Sequence, residues 1–494
     1  MAKTGKRDKM YRKPFSLMRV ALEDFKGKQP AADYQSPKVR NYVEGEMTEA
    51  FGDFMQNMIT PDVVQGVRRI AEAAGIRSGE VSDRPFFVTD DNLGISGAKS
   101  NSCAIVVPGE RGYPVRIVIA HTDSPCLKVN GIWGEIDAEL QNACDSLYFQ
   151  TRPYGGLRKR DWFGRSVKAV GWVYDGRGKS RRIDQIGSIP NMSVHVEKDD
   201  DPKETFDHQG RTYSNLRVKT GARDLPELFQ KYGFRNESDL LSSDIFVVPN
   251  EGRNLKVVGN GMTAYGLDDR SCVWTTAEAA SEAAAMRKGR RKGNTIITLY
   301  VDGEEILSQG VSSGYRGFVE SVIKESLRQV LPESEFSKLD LPLDLVKDDR
   351  LMRGMPMVVS DVSIALGPVE AYKHRTSDGI DLYNSPLSGW GAVLSNENGD
   401  CDTSETSPVH IKKMMDLMDR GFGARSRRRF QVPSNMATRD MDEASMGNAG
   451  DVFYKHLTCA CFGPALINAH GIVEELNRYD LFCTKKGTGF YING

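Results

Sequence analysis

Residues 294–306 read Asn294-Thr-Ile-Ile-Thr-Leu-Tyr-Val-Asp-Gly-Glu-Glu-Ile306. The run from Thr295 to Val301 is β-branched and aromatic, the composition of a buried strand. It stops at Asp302 and Gly303, and two adjacent carboxylates follow, Glu304 and Glu305. At the carboxyl end of a strand in an open α/β sheet, such side chains point into the crevice where ligands bind. Neighbouring side chains leave a strand in opposite directions, so the pair reads as a division of labour: one glutamate holds a metal ion and the other moves a proton. A lone Glu-Glu pair is more often a solvated turn. The choice rests on whether other acids and histidines stand at equivalent places along the chain.

The totals leave room for that chemistry and exclude several alternatives. With 494 residues the chain has material for two to four domains and a sizeable core. Its 66 basic and 67 acidic residues balance, so no overall field favours nucleic acid or an anionic membrane as partner. No run approaches the length of a membrane span. Lys3, Lys6, Arg7, Lys9, Arg12 and Lys13 make the beginning basic, but no apolar segment follows, which argues against a secretory signal. The eight cysteines form no framework, and Cys459-x-Cys461 lacks a second pair for structural zinc. Reduced thiols in a cytoplasmic protein are the expectation.

Outward from the opening stretch, the chain divides into three kinds of sequence. Residues 1–40 are polar, broken by Pro14, Pro30 and Pro37, and are expected to form an arm. Residues 41–128 and 258–494 alternate strand-like and helix-like patterns and are expected to build one α/β domain. Two amphipathic helices fit Tyr42 to Ala74, with Thr60-Pro61 between them, and short strands follow at 86–88, 103–107 and 115–120. Gly266-Leu-Asp-Asp-Arg270 opens an alanine-rich helix over 271–286, another covers 317–330, and Met357-Val-Val-Ser360 is a short strand ending at Asp361. Residues 367–410 read as a long loop region with short strands, and His470 is expected at or near the start of a last helix. Residues 129–257 differ, alternating strand-like pieces with Gly, Pro and charged turns; they are expected to form an inserted β-rich domain.

Seven metal-competent side chains sit where a strand ends or a helix begins: His121, Asp123, Asp268, Glu304, Glu305, Asp361 and His470. Each has an ordinary alternative, Asp268 as a helix cap or His121 as a core histidine. Together they point to one edge of one sheet. Two histidines and three carboxylates supply two zinc sites if one carboxylate bridges them, and such a pair can hold a hydroxide and polarise a carbonyl. Glu304 is then free to act as general base and to protonate a leaving amine. Asp123 would fix the ring of His121 through its other nitrogen.

The ordered set HTDSPCLKV (121–129), PYGGL (153–157), DWFGR (161–165), IPNMSVHV (189–196), GLDDR (266–270), DGEEI (302–306), VVSD (358–361) and AHGIVEEL (469–476) resembles the aspartyl aminopeptidase family of dizinc metallopeptidases, over nearly the full length. The resemblance implies a mixed-sheet peptidase domain with helices on both faces, interrupted by a β-rich domain used in oligomer contacts. It implies a tetrahedral dodecamer whose sites face an inner chamber. It further implies that His121 and Asp361 bind one ion, Glu305 and His470 the other, that Asp268 bridges, and that Glu304 is the base. His195 matches a histidine that reaches a neighbouring subunit's site and stabilises the reacting carbonyl.

The expected activity is removal of an acidic or neutral N-terminal residue from short peptides. A dizinc deacylase or carboxypeptidase shares the ligand set, and an inactive oligomeric scaffold is the reading from another class. Cobalt and manganese accept the same ligands as zinc, so the native metal and the preferred first residue stay open at this point.

Overall fold

The computed structural model describes residues 35–79, 81–95, 99–110, 115–133, 147–157, 159–174, 180–190, 217–234, 239, 243–250, 254–287, 290–306, 317–331, 333–336, 357–365, 386–395, 408–423, 429–432 and 459–494. Almost all of the expected arm, most of the loop region 367–410, and His195 lie outside these residues.

Strands β1 (Arg77–Ser78), β2 (Phe86–Thr89), β3 (Cys103–Val107) and β4 (Val115–His121) come first; β5 (Cys126–Trp133), β6 (Tyr148–Tyr154), β7 (Ser166–Tyr174), β8 (Ser180–Ser188), β9 (Arg217–Lys219) and β10 (Asp244–Pro249) form the next run. After it come β11 (Lys256–Val258), β12 (Gly261–Ala264), β13 (Thr295–Val301), β14 (Met357–Val359), β15 (Ser363–Ile364), β16 (Ala392–Ser395), β17 (Phe430–Gln431), β18 (Cys459–Gly463), β19 (Ala465–Ile467) and β20 (Glu474–Asn477). The main helices are α1 (Thr60–Ala73), α2 (Leu225–Tyr232), α3 (Leu267–Arg287), α4 (Phe318–Val330), α5 (Pro408–Phe422) and α6 (Arg478–Asn493). Pro61 stands in the first turn of α1, where a missing N–H costs nothing, and so the expected break at Thr60-Pro61 is a helix start.

A nine-stranded mixed sheet in the order β1-β2-β3-β13-β4-β14-β18-β16-β17 forms the body. Its central strands β13, β4 and β14 run parallel. Every residue of β4 and β13 is buried, as a parallel sheet covered on both faces requires. Alternation divides their side chains: Val118, Ala120, Ile296 and Tyr300 join the core under α3 and α6, whereas Ile117, Ile119, Ile297, Leu299 and Val301 join the core under α4. Helices therefore cover both faces. Each apolar side chain so buried contributes about 1.5–3 kcal/mol.

Strands β5 to β10 close into a six-stranded antiparallel barrel in the order β10-β5-β6-β9-β8-β7. Its interior is apolar, with Leu127, Phe149, Val167, Ile183, Val218 and Val247 inside. The barrel leaves the chain between β4 and α3. Met58, Ile59, Tyr265 and Ile472 of the body pack against the barrel core. A separate five-stranded sheet, β11-β12-β20-β19-β15, flanks the body.

One expectation is corrected here. His470 does not open the last helix: it sits in the turn between β19 and β20, and α6 begins at Arg478. The stretch Ile472-Val-Glu-Glu-Leu476 satisfies both helix and strand spacing, and tertiary pairing decides it. Glu474 and Leu476 turn inward, opposite Ala264 and Met262 of β12. Asn477 then caps α6 by accepting from the Tyr479 N–H.

Candidate metal centre

Strand register brings the acids and histidines to one edge. Val301 pairs with His121 across β13 and β4, so Glu304 and Glu305 follow where β4 ends. Val359 pairs with Ile119 across β14 and β4, which puts Asp361 level with His121. Asp268 comes from the start of α3, where Asp268 and Asp269 leave helical geometry, with ψ of 110° and 28°. His470 arrives from the β19–β20 turn at φ +62°. Gly155 lets the end of β6 approach: at φ +79°, an added Cβ would lie 3.2 Å from both Glu305 Cβ and Pro125 Cα.

The side chains meet closely. His121 Nε2 lies 3.2 Å from Asp268 Oδ1, 3.6 Å from Asp361 Oδ1 and 4.0 Å from Glu304 Oε2. His470 Nε2 lies 3.4 Å from Asp268 Oδ2 and 3.5 Å from Glu305 Oε2. Asp268 thus faces one imidazole with each oxygen. The ligand atoms of Asp268, Glu305 and His470 lie within 4.8 Å of one another, and so do those of His121, Asp268, Asp269 and Asp361.

Asp123 organises the two glutamates. Its carboxylate accepts from the Glu304 N–H at 3.3 Å, the Glu305 N–H at 3.1 Å and the Tyr154 hydroxyl at 3.1 Å, and lies 3.5 Å from His121 Nδ1. Its carbonyl oxygen is nearer that nitrogen, at 3.1 Å.

The electrostatics call for positive charge. Burial pulls the His121 pKa down, yet the Glu304 charge and hydrogen bonds with Asp123, Asp268 and Asp361 carry it well above the ordinary imidazole value. His470 is likewise raised: burial lowers it, and Glu305, Asp268 and Glu474 more than offset that. Burial pushes Glu304 up to about 8 against the opposing pull of His121, and raises Glu305 well above its usual range. Asp268 alone goes down: burial raises it, but hydrogen bonds with His121 and His470 prevail.

The donor set fits metal ions. His121 Nδ1 sits at the Asp123 carbonyl, and His470 Nδ1 sits 2.9 Å from the Gly156 carbonyl. A carbonyl oxygen only accepts, so each Nδ1 carries a hydrogen and Nε2 is the nitrogen left to face Asp268. Without a metal that nitrogen meets the carboxylate as the N–H of a protonated ring, the form that the surrounding acids favour, and a metal ion would take that proton's place. Glu305 Oε1 is also buried without a hydrogen-bond donor, as an oxygen reserved for a cation would be.

Every candidate that the sequence singled out and that falls among the described residues, namely His121, Asp123, Asp268, Glu304, Glu305, Asp361 and His470, is brought to this one place. Four participants were not foreseen: Tyr154 and the Gly156 carbonyl from the end of the barrel strand β6, Asp269, whose Oδ2 accepts from the His121 N–H at 3.3 Å, and Glu474, which accepts from the His470 N–H at 2.9 Å. Asp269 and Glu474 lie inside GLDDR and AHGIVEEL, and an acid close in sequence to a proposed ligand was the available signal. Tyr154 and Gly156 lie inside PYGGL, but nothing in that motif shows which of its groups would reach the body.

Comparison with known proteins agrees with the geometry. The curated relative from Thermotoga neapolitana, named "Probable M18 family aminopeptidase 1", is 27% identical over 399 residues, covering 75% of this chain and 78% of that protein. The crystal structure of the M18 family aminopeptidase from Thermotoga maritima matches with a TM-score of 0.73 at 21% identity, over 94% of this chain and 99% of that one. The mApe1 dodecamer structure from S. cerevesiae matches with a TM-score of 0.66 at 16% identity, over 91% and 97%. These two likenesses show the fold. The profile of the family described as "Aminopeptidase I zinc metalloprotease (M18)" covers residues 54–417. The chain therefore belongs to the M18 family of aminopeptidase I zinc metalloproteases, which places it among the metallo-aminopeptidases, a class of hydrolases.

Proposed function

We propose that this protein removes an acidic or neutral N-terminal residue from short peptides with two zinc ions per subunit. The observation that carries the reading is Asp268, whose two oxygens face His121 Nε2 at 3.2 Å and His470 Nε2 at 3.4 Å. His121 and Asp361 would hold one ion, Glu305 and His470 the other, with Asp268 between them. Zinc so held supplies a Lewis acid that polarises the scissile carbonyl and makes water nucleophilic near neutral pH. Glu304, free of a ligand's duty, takes the proton from the attacking water and delivers it to the leaving amine. Burial raises its affinity for a proton, the direction a general base needs. Asp123 orients His121 and both glutamates.

His195, outside the described residues, is proposed to act at a neighbouring subunit's site by stabilising the reacting carbonyl. The inserted domain, expected over 129–257, is proposed to carry the subunit contacts of a tetrahedral dodecamer. Cys103, Cys126, Cys272, Cys461 and Cys483 are thiols, which fits a reducing, cytoplasmic setting.

The test combines a peptide panel with metal analysis. Tripeptides with acidic, neutral and basic first residues should release that residue first, acidic or neutral ones fastest; release from the carboxyl end would favour the carboxypeptidase reading. Glu304→Gln should keep about two zinc ions per chain while turnover falls by about 10²- to 10⁴-fold. Loss of zinc with activity retained would exchange the roles of Glu304 and Glu305.

A further inference from the structure

Glu474 is 1% exposed, and main-chain donors occupy its whole carboxylate. Oε1 accepts from the His470 N–H at 2.9 Å, and Oε2 accepts from the Leu267 N–H at 2.7 Å and the Asp268 N–H at 3.3 Å. Pairing of β12 with β20 sets Ala264 opposite Glu474, so the start of α3 and the β19–β20 turn lie side by side. Glu474 fills the gap between them.

Neither segment keeps its shape unaided. His470 lies at φ +62°, the left-handed region, which costs a residue with a Cβ about 1–2 kcal/mol. Asp268 stands at the opening of α3 with ψ 110°, where a backbone N–H has no carbonyl of a preceding turn to meet. A carboxylate accepts at both ends. An amide of the same shape accepts at one end and donates at the other, so it cannot serve both segments.

We propose that Glu474 is a positioning residue of the metal centre: by accepting main-chain hydrogens on both oxygens it fixes His470 and Asp268 at the separation that lets both face one cation, before a cation arrives. This rests on the zinc-centre reading above. Glu474 touches neither substrate nor the reacting atoms, and acts through the two ligands it holds. It also explains why the strand residue next to the exposed Val473 should be an acid turned inward.

The experiment uses the full chain as wild type, Glu474→Gln and Glu474→Asp. Each is stripped and titrated with zinc against a chromophoric chelator, and kcat and KM are measured across zinc concentrations. Wild type should bind two zinc ions. Glu474→Gln should bind zinc about 10- to 100-fold more weakly at one or both positions, with kcat reduced at limiting zinc, restored by excess zinc, and KM unchanged. Glu474→Asp, shorter by one methylene, should fall between. Two ions bound by Glu474→Gln with wild-type affinity would overturn the proposal and leave the zinc centre standing, whereas a wild type that binds no zinc would overturn the zinc centre itself. Should Glu474→Gln not fold, hydrogen exchange in the metal-free wild type decides: protected Leu267, Asp268 and His470 amides support the proposal, and unprotected ones overturn it.

Discussion

Asp123 contacts neither of the proposed ion positions in its assigned role, yet its two oxygens receive the Glu304 N–H, the Glu305 N–H and the Tyr154 hydroxyl. In Asp123→Asn one of those oxygens becomes an NH₂ group turned against another donor, which leaves buried groups opposed. We expect the activity or the zinc affinity of that variant to fall about 10- to 100-fold. Steady-state kinetics paired with zinc titration would show it, and wild-type values for both would reduce Asp123 to a packing residue. The role of Asp123 was partly legible in the sequence, because an aspartate two residues after a strand-ending histidine can reach that ring. The actual contact with the ring is chiefly through its carbonyl, with the carboxylate given over to the glutamate loop. Sequence shows which residue types are near one another and does not show which oxygen turns where.

At the scale of elements, the central strands could be read because parallel strands buried on both faces are apolar throughout, as β4 and β13 are. Their carboxyl ends then had to share an edge. The stretch after His470 could not be read in the same way, since the choice between helix and strand belonged to β12, a partner more than two hundred residues earlier. PYGGL marked the end of β6 without showing what it would touch, for a related reason. Tyr154 belongs to the barrel, and its hydroxyl reaches Asp123 3.1 Å away in the body. Tyr154→Phe removes one donor from a buried carboxylate and should cost about 1.5–3 kcal/mol of stability. It should also lower kcat more than it raises KM. Denaturant unfolding and kinetics measure both, and a variant equal to wild type in each would show that the barrel merely adjoins the site.

For the molecule as a whole, the gathered acids are a liability that a cation relieves. Five carboxylates, Asp123, Asp268, Glu304, Glu305 and Asp361, are buried around two imidazoles. A ligand that binds only the folded state stabilises it in proportion to the logarithm of its concentration over its Kd. Zinc returned to chelator-treated protein should therefore raise the melting temperature progressively with concentration, and an unchanged melting curve would count against the zinc centre. Body and barrel are joined by more than the chain: Arg182 of β8 makes two short hydrogen bonds to Asp62 near the start of α1, at 2.6 and 2.8 Å. This partly exposed pair adds at most about 1 kcal/mol, so apolar packing around Ile59, Tyr265 and Ile472 holds the two parts together.

The barrel interrupts the chain between His121 and Asp268, and His470 follows all the other proposed ligands. During synthesis on the ribosome the first imidazole emerges long before the second, and Gly156, whose carbonyl meets the second in the folded protein, precedes it by 314 residues. A nascent chain halted before its β19–β20 turn would lack His470, and if the proposed zinc centre holds, its completion would be a closing event of biogenesis.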